Sequence, residues 1–244
     1  MPATDMPVAV VTGGGSGIGR AIALLLAEEG YRVVVCGRRQ AVLDEVVRNA
    51  KGEMLAVVLD ISRTDAEILP LLPEAWRSID VLVNNAGSDI GGRRPYHTGS
   101  MEDWRGTIET NVIGLMQVTR EILPGMSERG HGHIVNIGSS VAHRSYPGSV
   151  AYATSKAAVH MLTDCLRAEH LGSGIRITEI MPGVVRTDFD KARKFGDENA
   201  AKTFYDGFGS VLAPDDIARS VLFALRQPPG VVIAQMTILP TSDW

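Results

Sequence analysis

The sequence predicts an α/β protein: one doubly wound parallel sheet of about seven strands, with helices on both faces. Two observations lead there. Short Val- and Ile-rich runs, nearly continuous in hydrophobicity, alternate with longer amphipathic stretches, as strands buried on both faces alternate with crossover helices. No internal repeat, low-complexity tract or linker divides the 244 residues, so residues 1–244 read as a single domain.

The strand candidates are Val8–Val11, Arg32–Cys36, Met54–Leu59, Val81–Val83, His133–Ile137, Ile175–Ile180 and Val231–Leu239. Helical periodicity covers Ile18–Glu29, Ala41–Ala50, a long stretch from Met101 to about Glu128, Tyr152–Leu171 and Pro214–Arg226. The last of these opens with Pro214-Asp-Asp, a proline and an acidic first turn that suit a helix N-terminus. Pro70 and Pro73 weaken any helix between the third and fourth strands. The longest irregular stretch runs from Pro182 to about Lys202, and such loops often bind ligands. Residues 183–202 are therefore the expected substrate loop.

Composition narrows the function. The chain is 45% hydrophobic and 21% charged, with a formal net charge of −4. It has no basic field to favour nucleic acid or an anionic membrane. No run approaches the ~18 apolar residues of a membrane span, and the N-terminus lacks the pattern of a signal peptide. The expectation is a soluble, cytoplasmic protein. Cys36 and Cys165 read as reduced residues in or near the core. His97, His131 and His133 lack partners at ligand spacing, so no metal site is expected.

The first strand runs into Thr12-Gly-Gly-Gly-Ser-Gly-Ile-Gly19. Glycine permits a tight turn and close approach of backbone to a pyrophosphate, and the following helix N-terminus attracts phosphate. The spacing is T-G-x-x-x-G-x-G through Gly13, Gly17 and Gly19, and Ser16 and Ile18 lie in the same turn. Its place after the first strand points to a Rossmann-type dinucleotide site. An acidic residue ending the second strand would select NAD by its ribose hydroxyl. The strand instead ends Cys36-Gly37-Arg38-Arg39, and two guanidinium groups suit a 2′-phosphate. The reading favours NADP(H).

Tyr152 and Lys156 stand four apart in a helical pattern and so share a face. Tyrosine alone has a pKa of about 10, and a nearby cation favours the phenolate. At an effective dielectric of ~20, charges ~4 Å apart interact by about 4 kcal/mol, or up to roughly three pKa units. That brings a phenol into the range where acid–base catalysis works.

Together with that pair, the glycine turn, Asn84-Asn-Ala-Gly87, Asn111, Ser139 and Pro182-Gly183 occur in order. In this combination the chain resembles the short-chain dehydrogenase/reductase family along essentially its whole length. The resemblance implies Tyr152 as general acid/base and Lys156 as its charged neighbour and a ribose ligand. It implies Ser139 as the hydrogen-bond partner of the substrate oxygen, although Ser140 follows directly and the choice rests on spacing. It implies Asn111 as support for a water in a proton relay. Asn84, Ala86 and Gly87 would line the cofactor cleft, and Asp60 would contact the adenine or cap a turn. Pro182, Gly183, Val185 and Thr187 would face the nicotinamide or the phosphates. Dimers or tetramers are implied, with the homotetramer preferred.

A finer likeness lies in Glu102-Asp-Trp104, Phe189–Asp197, Ala200–Tyr205, Pro214–Ile217 and Ile238–Thr241. These segments resemble the branch of NADP-dependent serine and 3-hydroxy acid dehydrogenases, some relatives of which reduce short anionic aldehydes. An anionic substrate needs a cationic clamp. Arg193 matches a branch arginine and is the first candidate; Arg186, Lys191, Arg93, Arg94 and Arg144 lie in other loops. Gly91-Gly92-Arg93-Arg94 departs from the branch pattern, which leaves open a carbonyl reductase for a neutral or larger ketone. A nucleotide-sugar epimerase would carry a longer substrate region, and an enoyl reductase a wider tyrosine–lysine spacing. A non-enzymatic NADP sensor would not require Ser139, Tyr152 and Lys156 together.

Overall fold

A computed structural model describes residues 6–144, 146–189, 205–206 and 209–242. Seven parallel strands form one sheet in the order β3-β2-β1-β4-β5-β6-β7. They are β1 Val8–Thr12, β2 Arg32–Gly37, β3 Met54–Val58, β4 Ile79–Asn84, β5 Gly132–Ile137, β6 Ile175–Pro182 and β7 Gln235–Ile238. The order reverses between β1 and β4, and at such a switch point the crossovers diverge and leave a crevice at the carboxyl ends of the strands. The α-helices given by the described residues are α1 Gly17–Glu28, α2 Gln40–Arg48, α3 Met101–Ile108, α4 Leu115–Arg129, α5 Val150–Glu169 and α6 Pro214–Leu225.

Alternation along each strand divides the core into two layers. Ala9, Val11, Val33, Val35, Val81, Val83 and Ile180 pack with Ile22 and Leu26 of α1 and Ile217 and Val221 of α6. Val10, Val34, Cys36, Leu82, Ile134 and Ile177 point the other way, onto Val118, Ile122 and Met126 of α4. Both faces are covered, which is why these strands read as continuous apolar runs. Burial pushes the Cys36 thiol pKa up. Cys165 departs from expectation: it lies exposed on α5.

The helical stretch expected from Met101 runs without interruption to Arg129, with one change of register. α3 passes into a π turn over Glu109–Gly114 before α4 begins. Gly114 lies where α4 crosses the segment after β3, and a methyl there would come within 2.6 Å of the Ile61 carbonyl oxygen. Pro70 and Pro73 limit their segment to two single 3-10 turns, Leu69–Leu71 and Glu74–Trp76. Glu121 of α4 anchors the first by accepting from the Ile68 and Leu69 amides at 2.8 and 2.7 Å. β7 is shorter than its apolar run, since pairing with β6 starts only at Gln235. At the start of α6, Asp216 accepts from the Ala213 amide at 2.7 Å, as its acidic first turn predicts.

One buried polar group makes the fold acid-sensitive. His133 on β5 is buried, with Nε2 2.8 Å from Thr178 Oγ1 and no partner for Nδ1 among the described residues. Burial, and secondarily Arg176, lower its pKa from 6.5 to about 3. The folded protein keeps it neutral while the unfolded chain takes up a proton near pH 6.5. This contribution is thus complete above about pH 6.5 and is lost as pH falls toward 3, by up to roughly 4 kcal/mol. His133→Gln should flatten the decline of the urea midpoint between about pH 7 and pH 4; an unchanged slope would refute this assignment.

Candidate active site

A cleft of about 1520 Å³ opens over the carboxyl ends of β1, β2 and β4–β6. Gly13, Gly15, Ser16, Gly17 and Ile18 line one end. Gly13 and Gly17 have φ of 65° and 51°, in the left-handed region that favours glycine. A methyl at Gly17 would stand 3.0 Å from Thr187 Cγ2, and one at Gly13 would stand 2.8 Å from Ala86 Cα. Side chains there would fill the cradle. The Ser16 side chain does not cap α1, which leaves the first-turn N–H groups for a ligand. Gly19 serves differently. It is buried behind the turn, where a methyl would meet Asn85 Nδ2 at 2.3 Å and the Gly13 carbonyl oxygen at 2.4 Å.

Arg38 and Arg39 line the cleft beyond β2 and are exposed, and neither has an ion-pair or hydrogen-bond partner among the described residues. No carboxylate occupies the end of β2. Asp60 lines the same region, and its Oδ1 accepts from the Ser62 amide and hydroxyl at 3.1 and 2.7 Å. It therefore caps a turn while facing the cleft. A backbone cradle, a helix N-terminus and two unpaired guanidinium groups fit a dinucleotide with a third phosphate.

The Asn84–Gly87 segment divides its labour. Ala86 and Gly87 line the cleft, but Asn84 does not. Asn84 ends β4 beneath it, buried, and its Nδ2 donates to Thr119 Oγ1 and Asn136 Oδ1, each at 2.9 Å. Strand alternation turns it toward α4. Asn85, which the sequence reading passed over, faces the glycine turn instead. Its Nδ2 donates to the Thr12 and Gly13 carbonyls at 2.9 and 3.2 Å. Thr12 Oγ1 accepts from the Asn85 and Ala86 amides at 3.0 and 3.1 Å. These bonds fasten the ends of β1 and β4 across the switch point.

Asn111 lies in the π turn, 1% exposed. Its Oδ1 accepts from the Ser88 amide at 2.7 Å, while Nδ2 donates to the Ser88 carbonyl and Ser155 Oγ at 2.8 and 2.9 Å. Ser155 Oγ in turn donates to the Tyr152 carbonyl at 2.7 Å. Asn111 thus joins the loop after β4 to the α5 turn that carries Tyr152.

Ser139, Tyr152 and Lys156 converge on one cleft wall. Ser139 follows β5, and its hydroxyl caps a 3-10 turn by accepting from the Val141 amide at 3.3 Å. Ser140 lines the cleft as well. The Tyr152 ring lies 5.7 Å from that of Phe189. Lys156 is 5% exposed. Its Nζ is 5.8 Å from the Tyr152 ring centre and donates to the Ile137 carbonyl at 2.9 Å. Burial lowers its pKa to about 8, and Glu179 opposes the fall. Lys156 therefore remains mainly cationic near neutrality, beside a phenol whose ionised form a cation favours.

Pro182, Gly183, Val185 and Thr187 form the facing wall. Val185 makes a parallel bridge to Leu212. The buried Tyr205 hydroxyl accepts from the Thr187 amide at 3.1 Å and lies 2.9 Å from its carbonyl. Tyr205 carried no local signal for this role, because the contact spans 18 residues. Arg93 and Arg144 line the cleft, whereas Arg193, Lys191 and the remainder of the 183–202 stretch beyond 189 lie outside the described residues. Among the described residues no group of His, Cys, Asp or Glu could hold a metal ion, and no helix is long and apolar enough to cross a membrane.

The sequence pattern of the family described as short chain dehydrogenase matches residues 7–197. This chain belongs to the short-chain dehydrogenase/reductase family. It is 37% identical over 239 residues to an NADP-dependent 3-hydroxy acid dehydrogenase, YdfG, of Escherichia coli, covering 97% of this chain and 96% of that protein. It is 34% identical over 236 residues to a sulfoacetaldehyde reductase of Chromohalobacter salexigens, covering 95% and 92%. Among solved structures, the closed form of serine dehydrogenase complexed with NADP+ superposes with a TM-score of 0.93 at 37% identity, over 97% and 96% of the two chains. In this short-chain dehydrogenase the glycine cradle, Arg38–Arg39 and the Ser139–Tyr152–Lys156 wall share one cleft, as a dinucleotide placed next to a proton-transfer group requires.

Proposed function

We propose that the protein is an NADP(H)-dependent dehydrogenase acting on the CH–OH group of a small hydroxy acid, through Tyr152. The observation that carries this reading is the convergence of Ser139, Tyr152 and Lys156 on the cleft wall that continues the glycine cradle. Gly13, Ser16, Gly17 and Ile18 hold the pyrophosphate, Arg38 and Arg39 the 2′-phosphate, and Asp60 faces the adenine. Ala86, Gly87, Pro182, Gly183, Val185 and Thr187 line the path to the nicotinamide, with Tyr205 steadying the last two. Bound there, NADP(H) supplies the hydride acceptor or donor. Ser139 Oγ hydrogen-bonds the substrate oxygen, and Tyr152 takes up or gives its proton. Lys156 favours the ionised phenol, and Asn111 supports the water of a proton relay to Lys156 while keeping the Tyr152 turn in register with the loop after β4.

The relatives' names share one chemical feature: 3-hydroxy acids, serine and sulfoacetaldehyde each bear an anionic group separated from the reacting carbon by a single carbon. Arg193 is proposed as the clamp for that group, with Arg93 and Arg144 as cations on the described cleft wall. The alternative substrate is a neutral or larger ketone, because the Arg93–Arg94 loop departs from the branch pattern.

A substrate panel tests the reading. With NADP+, 3-hydroxy acids, serine or allo-threonine should give kcat/KM at least about tenfold above neutral alcohols, the value of one charged contact. Neutral alcohols outperforming the acids would refute the acid reading, and no turnover of any alcohol would refute the enzyme.

We further propose that residues 1–244 act as one catalytic domain, with 183–202 as its substrate stretch. Ile113, Met116 and Met161, exposed near α4 and α5, support a homo-oligomer, a tetramer or dimer. A cytoplasmic setting accords with two unpaired thiols, Cys36 and Cys165.

A further inference from the structure

Behind Lys156 lies a buried carboxylate that the proton-transfer scheme leaves without a role. Glu179 on β6 is 0% exposed. It pairs in register with Asn136 on β5, whose next residue, Ile137, supplies the carbonyl that receives Lys156 Nζ. Glu179 Oε2 is 2.7 Å from His160 Nδ1. Glu179 Oε1 has no hydrogen-bond partner among the described residues and lies under Gly138, where a methyl would come within 2.2 Å of it. Gly138 itself lines the cleft. His160 stands one helical turn after Lys156 on α5, so one helix face carries both the cleft lysine and the partner of the buried carboxylate.

A carboxylate withdrawn from water keeps its charge only beside compensating cations; otherwise it takes up a proton. On α5, Lys156 can supply that charge, and His160 Nδ1 stands within hydrogen-bond distance of Oε2. His143, from the turn after Ser139, meets His160 edge-on with ring centres 4.5 Å apart. Asp164 lies beyond His160 at 3.8 Å and pairs with Arg167 at 2.7 Å, while the uncharged Gln235 approaches from β7 at 3.4 Å. The nearest anion besides Glu179 is therefore already engaged on the outer side.

We propose that Glu179 is a positioning residue for proton transfer: as a carboxylate paired with His160, it keeps Lys156 charged beside Tyr152. This rests on the reading of Tyr152 and Lys156 as the proton-transfer pair. The direction accords with the electrostatics, in which burial lowers the Lys156 pKa and Glu179 raises it. Without the carboxylate, more of Lys156 is neutral, and the phenol loses the cation that favours its ionised form.

The test follows Lys156 itself, in protein without cofactor. With lysine labelled at the ε-carbon, the NMR resonance absent from a Lys156→Arg variant belongs to Lys156, and its wild-type midpoint is expected at about 8. In Glu179→Gln, which mimics the protonated acid, the midpoint should fall by about one pH unit or more, and Glu179→Asp should restore part of it. The alkaline side of the kcat profile should move the same way, with the KM for NADP unchanged. An unmoved midpoint in folded Glu179→Gln would overturn the proposal. If that variant does not fold, infrared spectra of the wild type decide. No carboxylic-acid stretch is expected at about pH 8, where Lys156 titrates, and such a band would overturn the assignment. A midpoint that shifts as expected while Tyr152→Phe stays fully active would fault the proton-transfer reading alone and leave the charge coupling intact.

Discussion

Tyr152→Phe should lower kcat by roughly 10²–10⁴-fold, the usual contribution of a positioned acid–base group. The substitution removes one oxygen and leaves the aromatic ring that faces Phe189 at 5.7 Å. It also leaves Lys156 hydrogen-bonded to the Ile137 carbonyl at 2.9 Å, so the backbone of the wall has no reason to move. The dissociation constant for NADPH, followed by its fluorescence, should therefore change little while turnover collapses. A loss confined to kcat, with binding preserved, marks a group that acts in the transition state. Full activity in the phenylalanine variant would refute the mechanism, and a parallel loss of cofactor binding would mark Tyr152 as structural.

The double variant Arg38→Ser, Arg39→Ser should weaken NADP+ binding by roughly 10²–10⁴-fold and leave NAD+ nearly untouched. Each hydrogen bond from a guanidinium to phosphate contributes about 1.5–3 kcal/mol, and two of them set that range. Both side chains are exposed and without partners among the described residues. Their removal therefore strands no buried charge, and the fold should be unaffected. Calorimetric titration of the two cofactors separates the outcomes. Equal losses for NADP+ and NAD+ would mean that the arginines do not read the 2′-phosphate.

Sequence and structure agree most closely where chemistry depends on neighbours along the chain. The spacing of Tyr152 and Lys156 is a property of one helix, and α5 places both on the cleft wall. The glycine turn is also local, and positive φ at Gly13 and Gly17 explains two of its glycines. Agreement weakens where one motif serves two layers. Within Asn84-Asn-Ala-Gly87, alternation sends Asn84 beneath the sheet and Asn85 onto the glycine turn. Both residues are polar ends of a strand when read as sequence, and only the pleat distinguishes them. The π turn that carries Asn111 within the long helix likewise has no marker in its periodicity.

The alternating fold, the glycine turn, the arginine pair after β2 and the tyrosine–lysine pair were all legible along the chain, because each is written in local spacing and residue type. Tertiary structure decided how those parts are held. Asn111 reaches Ser155 across 44 residues, Tyr205 ties down Thr187 across 18, and Glu179 comes to lie under Gly138 through the pairing of β5 with β6. The surroundings of the buried Lys156 are set by strand order and not by proximity along the chain, since its Nζ donates to the Ile137 carbonyl at the end of β5 and β6 pairs beside that strand.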